Sequence, residues 1–356
     1  MAQTRRIPSF LACLLVLCFP ALASAQTVIG KYAGEFLALG VGGRPLGMGG
    51  AAVAITEDVT AGYWNPAGLA HIDYPQVALM HAETFGNVVS YDYAAFAFPF
   101  QEQKSLGISI IRLGISDIPD TRAAWDPDRQ ETLPNAEDLI TYFDAADYAL
   151  LLSYAAQTSY NFMYGVNAKF LHRKIGDIAS AWGFGFDVGG AYRFTNGIMV
   201  GASIQDVTTS FISWDTGRNE LISPTLKLGS GYQFEFLAGT ITLAADTDVR
   251  FEGRRSASNL NIGGTSFDFH VGGEYSYKNM VAIRGGMDDI GRLTLGAGLR
   301  LSKLNIDYGF AAFNRNDQLG NSHRISLQIE LYQDSFKRKP ANESSKRKFT
   351  QEESGI

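Results

Sequence analysis

From about Pro75 to Tyr332 the chain repeats a single pattern, segments of about nine to fifteen residues in which apolar positions alternate with polar residues or glycine. Ile325, Leu327, Ile329 and Leu331 alternate with Arg324, Ser326, Gln328 and Glu330. Trp182, Phe184, Phe186 and Val188 alternate in the same way with Gly183, Gly185, Asp187 and Gly189. A period of two belongs to a strand with two unlike faces. Segments this long suit a strand that crosses a bilayer at a tilt. About fourteen such segments begin near residues 76, 88, 105, 146, 160, 180, 197, 223, 239, 266, 279, 291, 303 and 323. No run beyond residue 25 approaches the roughly 18 uninterrupted apolar residues of a spanning helix, so a membrane could be crossed only by strands.

The links between segments are sorted by length. Even-numbered links are tight: Gln101 to Lys104, Gln157 to Ser159, Thr195 to Gly197, Leu237 to Gly239, Lys278, and Ser302 to Lys303. Odd-numbered links include all the long ones: Asp117 to Ala145, Val207 to Ile222, Glu252 to Thr265 and Asn314 to Ser322. An up-and-down barrel with short periplasmic turns and longer external loops has this asymmetry, and a soluble sandwich has no cause for it. Aromatic pairs fall beside the short turns: Phe98 and Phe100, Tyr154 and Tyr160, Tyr192 and Phe194, Phe234 and Phe236, Tyr275 and Tyr277. Amphipathic rings at headgroup level form such a girdle. The predicted fold is therefore all-β, a transmembrane antiparallel up-and-down β-barrel of about 14 strands over residues 75–332.

The ends fit an exported protein. Residues 1–25 read as a signal peptide, with Arg5 and Arg6, an apolar core from Phe10 to Leu22, and Ala23-Ser24-Ala25 as a cleavage site. Both cysteines, Cys13 and Cys18, fall inside it, so the mature chain would offer no thiol. Loss of Arg5 and Arg6 takes the formal charge from −6 to −8, which argues against nucleic acid as a partner. Residues 333–356 are polar and charge-mixed, and are expected to form a disordered periplasmic tail. Together these features place the chain in the outer membrane of a Gram-negative bacterium, with outer-membrane lipids as its surroundings.

Residues 26–74, between signal and barrel, form a compact glycine-rich segment. It contains Gly43-Arg44-Pro45-Leu46-Gly47-Met48-Gly49-Gly50, an acidic pair at Glu57 and Asp58, and Tyr63-Trp64-Asn65-Pro66-Ala67-Gly68-Leu69. A phosphate-binding loop is excluded by context, since no strand leads in and no βαβ unit follows. Small residues and a tight Asn-Pro turn instead suit a plug sharing a narrow lumen.

On these motifs the sequence resembles the PorV/PorQ family of outer-membrane proteins, itself similar to the FadL fatty-acid transporter group. The resemblance implies a fourteen-stranded barrel whose N-terminal hatch packs Asn65, Pro66 and Ala67 in the lumen. It also implies one of two activities. PorV-like members serve type IX secretion, with machinery components or cargo signal domains as partners. FadL-like members pass long-chain fatty acids or other hydrophobic small molecules. A structural outer-membrane protein is the third possibility.

Alternation turns Asp187, Asp268, Glu274, Arg284, Arg300, Asp307 and Glu330 toward the lumen, where charges of both signs should pair with one another and with the hatch. Arg44 and Asp58 are the hatch charges expected to meet barrel partners, and Trp64 the ring expected to wedge against the wall. Asp246 and Asp248 offer too few oxygens for calcium. His71, His81, His172, His270 and His323 lack ligand spacing, so neither metal nor cofactor is expected. No nucleophile, base and orienting group fall together, and the chain is not expected to be an enzyme. The segment from Asp117 to Ala145 reads as an external recognition loop, with a short helix over Asn135 to Asp144.

Overall fold

A computed structural model describes residues 27–29, 34–85, 88–158, 161–251, 258–312 and 321–338. The expected signal peptide, Tyr160 of the girdle, and residues 339–356 of the tail lie outside these. Fourteen strands form the wall. The first seven are β1 (Gln76–Thr84), β2 (Val89–Phe100), β3 (Lys104–Asp120), β4 (Thr141–Gln157), β5 (Phe162–Ile175), β6 (Ala179–Arg193) and β7 (Ile198–Gln205). The second seven are β8 (Thr225–Phe236), β9 (Gly239–Arg250), β10 (Thr265–Tyr277), β11 (Val281–Met287), β12 (Leu293–Arg300), β13 (Leu304–Ala311) and β14 (Ser322–Glu330). Each pairs antiparallel with the next, and β14 returns to β1 with Gln76 opposite Glu330 and Glu83 opposite His323. The sheet is thus closed, which leaves no wall edge unpaired.

Alternation sorts side chains as predicted. Leu79, Ile110, Phe170, Phe184, Leu295 and Ile325 point outward and are each at least 47% exposed. Large apolar side chains exposed all around the wall, with Ser105, Asn167, Thr242 and Arg324 buried inside, are the reverse of a soluble domain and the arrangement of a wall facing lipid. Phe100, Phe194, Phe236 and Tyr277 are exposed at the short-turn end, as the girdle required.

The long-loop end differs from expectation in two places. First, β3 and β4 run for 17 residues each and carry the hairpin well past the neighbouring strands. Thr141 to Asp144 therefore join β4, and the expected helix shrinks to Ala136–Leu139. Second, the link between β7 and β8 is not a simple loop. Ser210–Trp214 resumes pairing with β6 and folds back on Asn219–Ile222, so this hairpin is interrupted at one height by Asp206–Thr209 and Ser223–Pro224. Proline cannot donate to a ladder, and Asp206 and Thr209 adopt positive φ, so both strands break there.

Beyond β14 the chain does not simply trail away. Asp334–Phe336 forms one helical turn, and Arg338 is bound to the barrel rim.

Candidate functional site

Residues 34–74 fill the lumen as a hatch. It has little regular structure: single turns at Glu35–Leu37, Gly43–Gly47 and Ala61–Trp64, then a 3-10 helix over Pro66–His71. Asn65 caps that last helix by accepting from the Ala67 amide at 3.2 Å, with Pro66 at its first position, where no amide proton is needed. The other end of the Asn65 amide donates to Val53 O at 3.0 Å and to Gly190 O of β6 at 3.1 Å. One side chain thus joins two parts of the hatch to the wall.

Close approach of backbone to backbone defines the seat. A methyl added at Gly309 would lie 2.7 Å from Gly43 O, at Gly296 3.1 Å from Gly47 Cα, and at Gly286 2.6 Å from Gly49 N. Further round, one at Gly229 would lie 2.9 Å from Ala54 N, at Gly201 2.7 Å from Val53 O, and at Gly165 2.6 Å from Ala67 N. Added at Gly189, it would meet Pro66 Cδ at 3.0 Å. These wall glycines stand on β13, β12, β11, β8, β7, β6 and β5, so the hatch rests on a belt of positions without side chains.

Between the glycines the wall reaches in with hydrogen bonds. Asp246 accepts from the Ala52 and Val53 amides at 2.6 and 2.7 Å. Gln76 accepts from Val59 N at 2.9 Å, and Asn167 donates to Gly62 O at 2.8 Å. Arg324 donates to Leu39 O at 3.0 Å and His270 to Gly49 O at 2.8 Å.

One charged network joins the hatch to β10, β11 and β13. Arg44 makes two hydrogen bonds to Glu274, each 3.0 Å. Glu274 also binds Arg284, which reaches Asp307 at 2.6 Å. Burial alone would lower the Arg44 pKa, but Glu274 more than offsets it, and the guanidinium is held above its ordinary value. Lys227 and Asp248 form a second buried pair, with Arg250 3.8 Å from Asp248.

The wall from β1 to β6 is different. Tyr91, Tyr93, Ile111, Leu151 and Leu171, with Ile212 of the folded-back hairpin, make one continuous buried cluster with Phe36, Val41, Tyr63, Trp64 and Leu69 of the hatch. β9 to β14 contribute nothing to it.

The expected residues are thus distributed as follows. Glu274, Arg284 and Asp307 join Arg44 in one network. Asp187 belongs to another, 2.8 Å from Lys169, which is 2.5 Å from Asp206. Asp268 is buried apart from both and accepts from Asn259 N at 3.3 Å. Arg300 and Glu330 sit at the short-turn mouth, bound to Asn279 and to Tyr332. Gly43, Pro45 and Gly47 belong to the hatch's second turn, Gly49 and Gly50 follow it, and Pro66 and Ala67 meet the wall.

One expectation needs correction. Asp58 does not pair with a barrel arginine: it accepts from Thr60 within its own turn, at 2.8 Å to the amide, and its neighbour Glu57 takes Arg193 at 2.8 Å. Trp64 belongs to the buried cluster shared with the wall and also braces the hatch itself, donating to Val41 O at 3.0 Å and lying over Gly40. Lys169 and Asn167 were missed, although both occupy inward positions of β5 between the outward Val166 and Phe170.

Two spaces remain. A polar vestibule of about 710 Å³ opens at the short-turn mouth beside Arg44, Glu57 and Glu330. A cavity of about 60 Å³ lies near the long-loop end beside Lys169, Asp206 and Arg250. Among the described residues, no group of three or more His, Cys, Asp or Glu is arranged to hold a metal ion.

The fold, a closed fourteen-stranded antiparallel barrel with its own N-terminal segment in the lumen, is shared with solved outer-membrane barrels. Among solved structures, the chain is similar to the toluene transporter TbuX of Ralstonia pickettii, with a TM-score of 0.58 and 15% identity, over 82% of this chain and 99% of that one. It is also similar to the toluene transporter TodX of Pseudomonas putida, at 0.55 and 14%, over 82% and 97%. A FadL homologue of Pseudomonas aeruginosa gives 0.53 and 13%, over 82% and 98%. No family model matches the sequence, and no curated protein does.

Proposed function

We infer that this chain is an outer-membrane channel for hydrophobic small molecules. The observation that carries this reading is the continuous apolar cluster between the hatch and β1 to β6. The interior of a barrel that conducts hydrophilic solutes is polar and wet. Here Tyr91, Ile111, Leu151 and Leu171 line one side of the lumen, and a hydrophobe passing between them and the hatch would exchange one apolar contact for another. The fold shared with two toluene transporters and a FadL homologue supports the same reading. No catalytic step is assigned to the chain.

The test is uptake by a bacterial host that lacks a hydrocarbon or fatty-acid channel. Expression of the full chain should raise uptake of toluene or of a long-chain fatty acid, and leave uptake of a hydrophilic sugar unchanged. Equal uptake with and without the protein, across both hydrophobes, would overturn the assignment.

A PorV/PorQ-like role in secretion or surface attachment draws on another region. The β3–β4 hairpin presents Trp125 and Tyr142 at 48% and 67% exposure, a surface suited to a protein partner. That role predicts co-purification with secretion-machinery components or exported cargo, and loss of it on deletion of residues 121–140.

A further inference from the structure

The chain passes from hatch to wall through Ile72–Tyr74, and the segment after β14 crosses this exit. Leu331 N donates to Pro75 O at 2.8 Å, and Tyr332 meets Tyr74 edge to face with ring centroids 4.9 Å apart. Lys337 lies over the Tyr74 ring at 5.9 Å, and Arg338 N donates to Asp73 O at 2.8 Å. The Arg338 side chain then enters the rim. Its Nη2 donates to Ala70 O at 3.0 Å, Ile72 O at 2.6 Å and Ser105 Oγ at 2.8 Å. Nε donates to Ile72 O at 3.1 Å, and Nη1 lies 3.4 and 3.5 Å from the carbonyls of Glu102 and Lys104.

One guanidinium therefore joins the last helix of the hatch, the exit strand and the β2–β3 turn. Among the described residues its ion-pair partner is Asp73, 3.6 Å away and 64% exposed, so solvent screens that pair and the carbonyls carry the attachment. Carbonyls arranged around a flat fork of five donors suit arginine and not lysine.

We propose that Arg338 is a positioning residue, and that the segment 331–338 is a strap which locks the hatch exit to the rim. Any movement of the hatch that admits a substrate then occurs upstream of Ala70, with the exit as its fixed end. This rests on the transport reading for its purpose, but its test needs no transported molecule.

The measurement is backbone hydrogen exchange on the full chain in detergent micelles. In Arg338→Ala the amides of residues 66–73 should exchange at least about tenfold faster, the scale of losing charge-assisted hydrogen bonds, while those of β5 to β12 stay protected. Arg338→Lys should fall between the two, and Asp73→Asn should match the parent. Parental exchange at residues 66–73 in Arg338→Ala, and in a chain truncated after Tyr332, would overturn the strap. If Arg338→Ala does not assemble, Arg338→Lys decides in its place. Faster exchange without hydrophobe uptake keeps the strap and removes the transport reading, and the converse result does the opposite.

Discussion

The two sides of this lumen hold the same hatch by different physics. Along β1 to β6 the main contact is an apolar, non-directional cluster, pinned at a few points by Gln76, Asn167, Gly190 and Arg193. Charges on that side form small separate groups, Lys169 with Asp187 and Asp206, and Arg193 with Glu57 of the hatch. Along β8 to β14 the contacts are directional: Arg44 with Glu274 and Arg284, and Asp246 with the Ala52 and Val53 amides. Hydrogen bonds of this kind fix register and tolerate little displacement. One side holds the hatch chiefly by paired charges, and the other chiefly by apolar packing.

The sharpest way to break this contrast is Arg284→Met. Arg284 is 7% exposed and bridges Glu274 and Asp307, so its loss leaves Asp307 without its ion-pair partner and Glu274 with Arg44 alone. A destabilisation of about 3–5 kcal/mol is expected, read from urea unfolding in detergent. A loss under about 1 kcal/mol would mean that the charged side is hydrated and does not fix the hatch.

Leu151→Ala tests the other side. Truncating a side chain that is 2% exposed should cost roughly 3 kcal/mol. It should also widen the apolar route, so hydrophobe uptake should rise although stability falls. A parallel fall in both would show the cluster to be packing alone.

The smallest effect is expected from pH. Burial, opposed by Glu57 and reinforced by Arg193 and Arg338, lowers the pKa of His71 below the ordinary 6.5. Above 6.5 the ring is neutral whether or not the hatch is seated. Below it the released chain takes up a proton that the seated one refuses, so seating weakens as pH falls from 6.5 toward the lowered value. His71→Gln should abolish that slope, read from urea unfolding in detergent between pH 5 and 8.

Much of the wall was legible because a lipid-facing strand must alternate. Thirteen of the fourteen strands start within two residues of the expected positions, and β4 starts five earlier because Thr141 to Phe143 pair with Asp120 to Ile118 beyond the apolar band. The break in the β7–β8 hairpin was hidden, since Asp206, Thr209 and Pro224 look the same in a loop as in an interrupted strand. Pairing was harder still. That Arg44 would find a carboxylate followed from its burial, but choosing between Glu57 and Asp58 for Arg193 required knowing which of two adjacent side chains turns back on its own backbone. The wall glycines were visible only as gaps in the alternation, because nothing in β5 or β12 announces that another backbone lies against it.

That belt makes the barrel's tolerance to change one-sided. At lipid-facing positions such as Leu79 or Phe170, one apolar residue can replace another with little consequence, because the solvent there is fluid. At Gly165, Gly201, Gly286 or Gly309 even alanine brings a carbon within 2.7 Å of hatch backbone, which cannot shorten itself in reply. The plainest residues of the wall are therefore its least replaceable, and divergence in this chain should accumulate on the outside of the barrel while the inner belt stays bare.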